Sequence, residues 1–104
     1  MYYAMINGRE IEVRPRKRLV DPNWNGRESY ELETRLSHAE AAELFVDDAD
    51  WGLKYKPPEG GEGWEETMKE FCVAGPIIDM RDGRMIVKMG KPTAEELLAV
   101  LMGE

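Results

Sequence analysis

Apolar and polar residues alternate along much of this chain, and Gly-containing turn signals break the alternation into paired runs. Asn7-Gly8 is the first such signal, because a tight hairpin turn needs positive φ at both central positions. A turn there pairs Ile6 with Arg9, Ala4 with Ile11 and Tyr2 with Val13. One face then carries Tyr2, Ala4, Ile6, Ile11 and Val13, and the other Tyr3, Met5, Glu10 and Glu12. Residues 14–28 hold Pro15, Pro22 and "DPNWNG", which predicts a loop. "SYELETRL" alternates again and predicts a half-buried strand, with Tyr30, Leu32, Thr34 and Leu36 on one side and Glu31, Glu33 and Arg35 on the other.

The period changes at Ser37. Ser37 and Glu40 have the spacing of a capping box, and Ala41, Leu44 and Phe45 form a helical stripe that should end near Val46. "WGLKY" predicts a short strand, and "PPEGGEG" a loop over residues 57–63. The stretch 64–75 supports two readings. Trp64, Met68 and Phe71 have helical spacing, whereas Phe71, Val73 and the run after Gly75 suit a strand; the favoured form is a helical turn to about Lys69, then a strand kinked at Gly75-Pro76. Asp82-Gly83 predicts a second hairpin, pairing Arg81 with Arg84, Met80 with Met85 and Ile78 with Val87. Its apolar face is then Ile78, Met80, Met85 and Val87. Asp79, Arg81, Arg84 and Lys88 share the opposite face with Ile77 and Ile86, so that face should be wet at its ends and covered in its middle. Thr93 and Glu96 form a second capping box, with Leu97, Val100 and Leu101 as the core stripe of a last helix. The order β-β-β-α-β-β-β-α, built from antiparallel hairpins, implies an α+β fold with two helices packed on one sheet face.

A chain of 104 residues is expected to form a single domain over 1–104. No apolar run reaches the length of a membrane span, and the N-terminus lacks a basic region followed by a long apolar stretch. Cys72 is the sole cysteine, in an apolar context, which excludes an intrachain disulfide and suggests a core thiol in a cytoplasmic protein. The net charge of −7 is unevenly spread, at +1 over residues 1–36 and −8 over residues 37–104. An acidic surface argues against general nucleic-acid binding, with "RPRKR" at residues 14–18 as the local exception.

Candidate chemistry is sparse. His38, the sole histidine, falls at the first helical position with no partner nucleophile or carboxylate in its spacing. Asp47, Asp48 and Asp50 lack the glycine and the bidentate glutamate of a calcium loop, which favours a solvated turn. Gly90-Lys91 fails as a phosphate loop, because Met85 stands where the first glycine belongs and Pro92 where Ser or Thr belongs. The expectation is therefore no catalytic residue, no cofactor and no metal. Arg81, Arg84 and Lys88 instead form a local basic edge on the acidic half, with Trp64 and Trp24 as candidate apolar anchors, and these five are the candidate partner contacts.

Several segments carry a likeness: Trp24-x-Gly26-Arg27, Phe45-Val46-Asp47, Trp51, Ala74-Gly75, Asp79-x-Arg81-Asp82-Gly83 and Val87-Lys88-Met89-Gly90-Lys91. Across residues 24–96 the chain resembles small uncharacterised proteins encoded in phage and prophage structural-gene regions. That resemblance carries over no catalytic pattern. It implies an accessory or assembly component, cytoplasmic or associated with the virion, with a protein partner and self-association left open. The alternative is an acidic regulator that blocks a basic, nucleic-acid-binding surface of a host protein.

Overall fold

A computed structural model describes residues 1–103. Eight antiparallel strands and two helices follow one another as β1 (Tyr2–Ile6), β2 (Arg9–Asp21), β3 (Arg27–Thr34), α1 (His38–Leu44), β4 (Trp51–Tyr55), β5 (Trp64–Thr67), β6 (Val73–Ala74), β7 (Ile78–Asp79), β8 (Met85–Gly90) and α2 (Ala94–Leu101). The sheet order is β5-β4-β1-β2-β3-β8, and β6 and β7 both pair with β8. The first hairpin has the expected register, Ile6 with Arg9 through Tyr2 with Val13, and Asn7 and Gly8 both take positive φ.

Residues paired directly across antiparallel strands share a face, so one face can be followed through the whole sheet. It carries Ala4, Ile11, Leu53, Leu32 and Val87, all nearly inaccessible to solvent. Helix α1 covers it. Ser37 Oγ accepts from the Glu40 N–H, and the Glu40 carboxylate accepts from the Ser37 N–H. The start thus set, Ala41, Leu44 and Phe45 are delivered into the core. The chain then leaves β5 at one margin of the sheet and crosses to β6 beside β8. Met68 and Phe71 are buried on the way. The Met68 N–H donates to the Trp51 carbonyl, and the Trp51 indole donates to the Phe71 carbonyl at 3.0 Å.

Five expectations need correction. The element order is β-β-β-α-β-β-β-β-β-α, because residues 64–79 contribute three short strands. Residues 14–21 are strand rather than loop: β2 runs on to Asp21 with a bulge between Pro15 and Lys17. This half of β2 extends past the end of β1 and pairs only with β3, and a one-sided strand tolerates proline and charge. Residues 64–67 are not helical; they pair with β4, Trp64 opposite Tyr55, and Met68 and Phe71 enter the core from the turn that follows. Pairing with a neighbouring strand overrides the helical spacing there.

The Asp82-Gly83 hairpin is slipped by one residue. Ile78 pairs with Ile86 and Asp79 with Met85, which places Ile78 on the face opposite Val87. The carboxylates of Asp79 and Asp82 accept from the N–H groups of Arg81 and Arg84, and Arg81 and Gly83 both have positive φ, so the loop is longer than two residues. Met85 and Val87 are buried, while Ile78 and Met80 are exposed. Ile86, in the middle of the second face, is buried as expected.

The last correction is α2. Its capping box forms as expected, with Thr93 Oγ1 accepting from the Glu96 N–H and the Glu96 carboxylate from the Thr93 N–H. Its stripe is not core. Leu97, Leu98, Val100, Leu101 and Met102 are 53–84% exposed, and α2 buries no residue. Only α1 packs on the sheet. Residues 91–93 join β8 to α2, and the first turn of the helix is tied to β3 through the Arg27–Glu96 pair.

Candidate functional site

The five candidate contact residues separate into two groups. Trp24 and Lys88 belong to the second sheet face. The Trp24 ring lies over Gly75 and Gly90, where a Cβ on Gly75 would stand 2.8 Å from it. The Arg27 guanidinium sits over the same ring, 4.7 Å from its centre. Trp24 is thus a cover for its own sheet. Lys88 reaches Glu31 on the neighbouring β3 at 3.5 Å and Asp21 at the end of β2 at 3.2 Å. Asp21 is held below the ordinary carboxylate range, first by the Asn23 N–H and then by Lys88.

Trp64, which opens β5, and Arg84, just before β8, both line a cleft of about 830 Å³ along β1, β2 and β3. Tyr2, Tyr30 and Trp64, with the buried Val13 and Thr34, line it from one face of the sheet, Glu12, Arg14 and Glu33 from the other, and Arg35 and Arg84 complete the lining. Arg84 is bound to Asp82 at 2.6 Å and to Glu33 at 3.1 Å. That pairing with Arg84 lowers the Asp82 pKa. Burial raises the Tyr30 phenol above its ordinary value. Arg81 is exposed at the hairpin tip, outside the cleft lining.

The other residues singled out in the sequence lie apart. His38 is exposed at the start of α1. Cys72 is half-buried rather than a full core thiol, because it lies in the crossing segment between Phe71 and β6. Asp47 accepts from the Ala74 N–H at 2.8 Å and so ties the end of α1 to β6.

Helix α2 is the feature that sequence reasoning missed, since its apolar spacing reads equally as a core face. It is fastened at its first turn. Arg27, almost fully buried, donates through Nη1 to Glu96 Oε1 at 2.6 Å and through Nη2 to Glu96 Oε2 at 3.1 Å, and also to the Lys91 carbonyl. These bonds, with the Thr93 N–H, pull the Glu96 carboxyl down to about 2. Beyond that turn, the exposed side chains from Leu97 to Met102 meet solvent. No helix among the described residues is long and apolar enough to cross a membrane. Compared with protein-family models, curated proteins and solved structures, the chain matches none.

Proposed function

We infer that this protein is a non-enzymatic protein–protein interaction module, an accessory or assembly protein of the phage or prophage type, and that α2 is its partner-facing element. The observation that carries this reading is the run Leu97, Leu98, Val100, Leu101 and Met102, held out from the fold by a buried arginine at one end. An eight-residue helix is too short to persist on propensity alone, so its apolar side gains most from a surface that covers it. A helix laid into an apolar groove is a recurrent mode of protein recognition.

The second reading, an acidic regulator that covers a basic surface, is favoured by a different feature. Glu59, Glu62, Glu65 and Glu66 are all exposed along the loop before β5 and on β5 itself. Photo-crosslinking separates the two. A photoreactive residue is placed at Leu101 or at Glu65, and adducts are collected from the native host. A discrete protein adduct from position 101 and none from position 65 supports the helix reading. The reverse pattern, with a nucleic-acid-binding protein captured, replaces it with the regulator.

A further inference from the structure

Past Val13, β2 outruns β1. Residues 14–21 pair with β3 on one side, and on the other side no backbone hydrogen bond reaches residues 14–20 among the described residues. The register skips Arg16 at the bulge, so the regular part of this open edge is residues 17–20. In an antiparallel ladder, alternate residues turn both N–H and C=O away from the paired neighbour. The edge therefore holds out unpaired donors and acceptors at strand spacing. Arg16, Lys17, Arg18 and Val20 along it are all exposed.

The side chains decide what can pair there. Charge on an open edge keeps it from pairing with an edge of the same sign, a second copy of itself included. In a chain of net charge −7, this edge is basic. Arg18 is bound to Glu28 at 2.9 Å. Arg16 and Lys17 have no ion pair or hydrogen bond among the described residues. The carboxylates beside them are taken: Glu28 also holds Lys91, while Glu31 and Asp21 hold Lys88. Glu12 lies before the bulge, on the stretch that pairs with β1.

Opposed residues on neighbouring strands have Cβ atoms about 5 Å apart, so a carboxylate on an added strand falls within reach of Lys17. Val20, 66% exposed, offers the same strand apolar surface. Nucleic acid satisfies the cations but not the edge, because phosphate oxygens only accept hydrogen bonds and leave the strand carbonyls unpaired. An extended polypeptide supplies donors and acceptors together. We propose that the outer half of β2 binds an extended acidic segment of a partner protein by strand addition, its backbone paired with residues 17–20 and its carboxylates beside Arg16 and Lys17. The contact rests on a sheet edge and is independent of the reading of α2.

The probe is a fluorescein-labelled, end-capped peptide of three valines followed by four glutamates, titrated with the full chain. Fluorescence polarisation reads affinity, and amide chemical shifts read location. Saturable binding below millimolar protein is expected, with shifts concentrated at residues 16–20. Two further peptides keep the charge but carry N-methyl groups on one or the other set of alternate residues. One should bind about tenfold or more weakly and the other should keep its affinity, because only one set of N–H groups faces the edge. Arg16→Glu combined with Lys17→Glu should weaken binding about tenfold or more. Those side chains have no internal partner, so the thermal melt of this variant should match that of the unmodified protein. Equal affinity of the two methylated peptides overturns the proposal, as does the absence of saturation up to millimolar protein. So do shifts centred on α2, or a thymidine oligonucleotide that binds more tightly than the peptide and shifts the same amides.

Discussion

Helices α1 and α2 begin with the same device and end in opposite surroundings. Each has a hydroxyl at the N-cap and a glutamate three residues on, and each closes both hydrogen bonds of the box. Each also presents apolar residues at helical spacing, Ala41, Leu44 and Phe45 in α1 and Leu97, Val100 and Leu101 in α2. In α1 those positions meet a sheet: Leu44 and Phe45 are buried with Trp51, whose ring stands edge-on to Phe45 at 6.2 Å. In α2 the equivalent positions meet water. A capping box sets where a helix starts because it satisfies N–H groups within a few residues of itself. Whether the helix packs depends on where the preceding strand delivers it, which local spacing does not encode.

The largest expected effect lies on the packed side. Leu44→Ala should lower the unfolding free energy by about 3 kcal/mol, read from the urea midpoint. A midpoint shift of only a few tenths would remove α1 from the core. Next come the caps. Ser37→Ala should cost about 1 kcal/mol of global stability, whereas Thr93→Ala should leave the global midpoint in place and raise exchange only at the amides of α2. Equal global losses for the two would mean that α2 is part of the cooperative core. Leu101→Ala should change the stability of the free protein by no more than about 0.5 kcal/mol.

The smallest effect on the fold comes with acid. The Glu96 pKa is lowered from 4.5 to about 2. Its bond to Arg27 therefore contributes in full above the ordinary glutamate value and fades as pH falls from there toward about 2. Amide shifts in α2 should be constant from neutral pH down to about 5 and move below it. Detachment of α2 already at pH 6 would assign its anchoring to another group.

The strands β1 and β4 were legible in the sequence because each has one buried face, and a slip of one residue would expose the whole set; β3 alternates in the same way, although Arg27, Ser29 and Glu31 are buried on its other face as well. The β7–β8 hairpin lacks that constraint. Ile77 and Ile86 alternate with Ile78 and Val87, so two registers offer apolar pairs, and the carboxylates of Asp79 and Asp82 decide between them through backbone N–H groups. The polar run at residues 14–18 hid a strand because only one of its edges is paired. Of the five candidate contacts, Trp64 and Arg84 reach the cleft, but Arg14, Arg35, Tyr2 and Tyr30 join them from strands distant in sequence. Trp24 and Lys88 proved to be internal partners, because glycines at 75 and 90 leave room for an aromatic ring against the sheet.

The central claim is that α2 is a helix waiting for cover, and native-state hydrogen exchange on the dilute free protein tests it residue by residue. The Phe45 amide, bonded to the Ala41 carbonyl, should be protected close to the level of global unfolding, and the Leu97 and Met102 amides, bonded to Thr93 and Leu98, should exchange through local opening with little protection. Protection of Leu97 and Met102 equal to that of Phe45, in a protein shown to be monomeric under the same conditions, would contradict the claim and make α2 a part of the folded body in its own right.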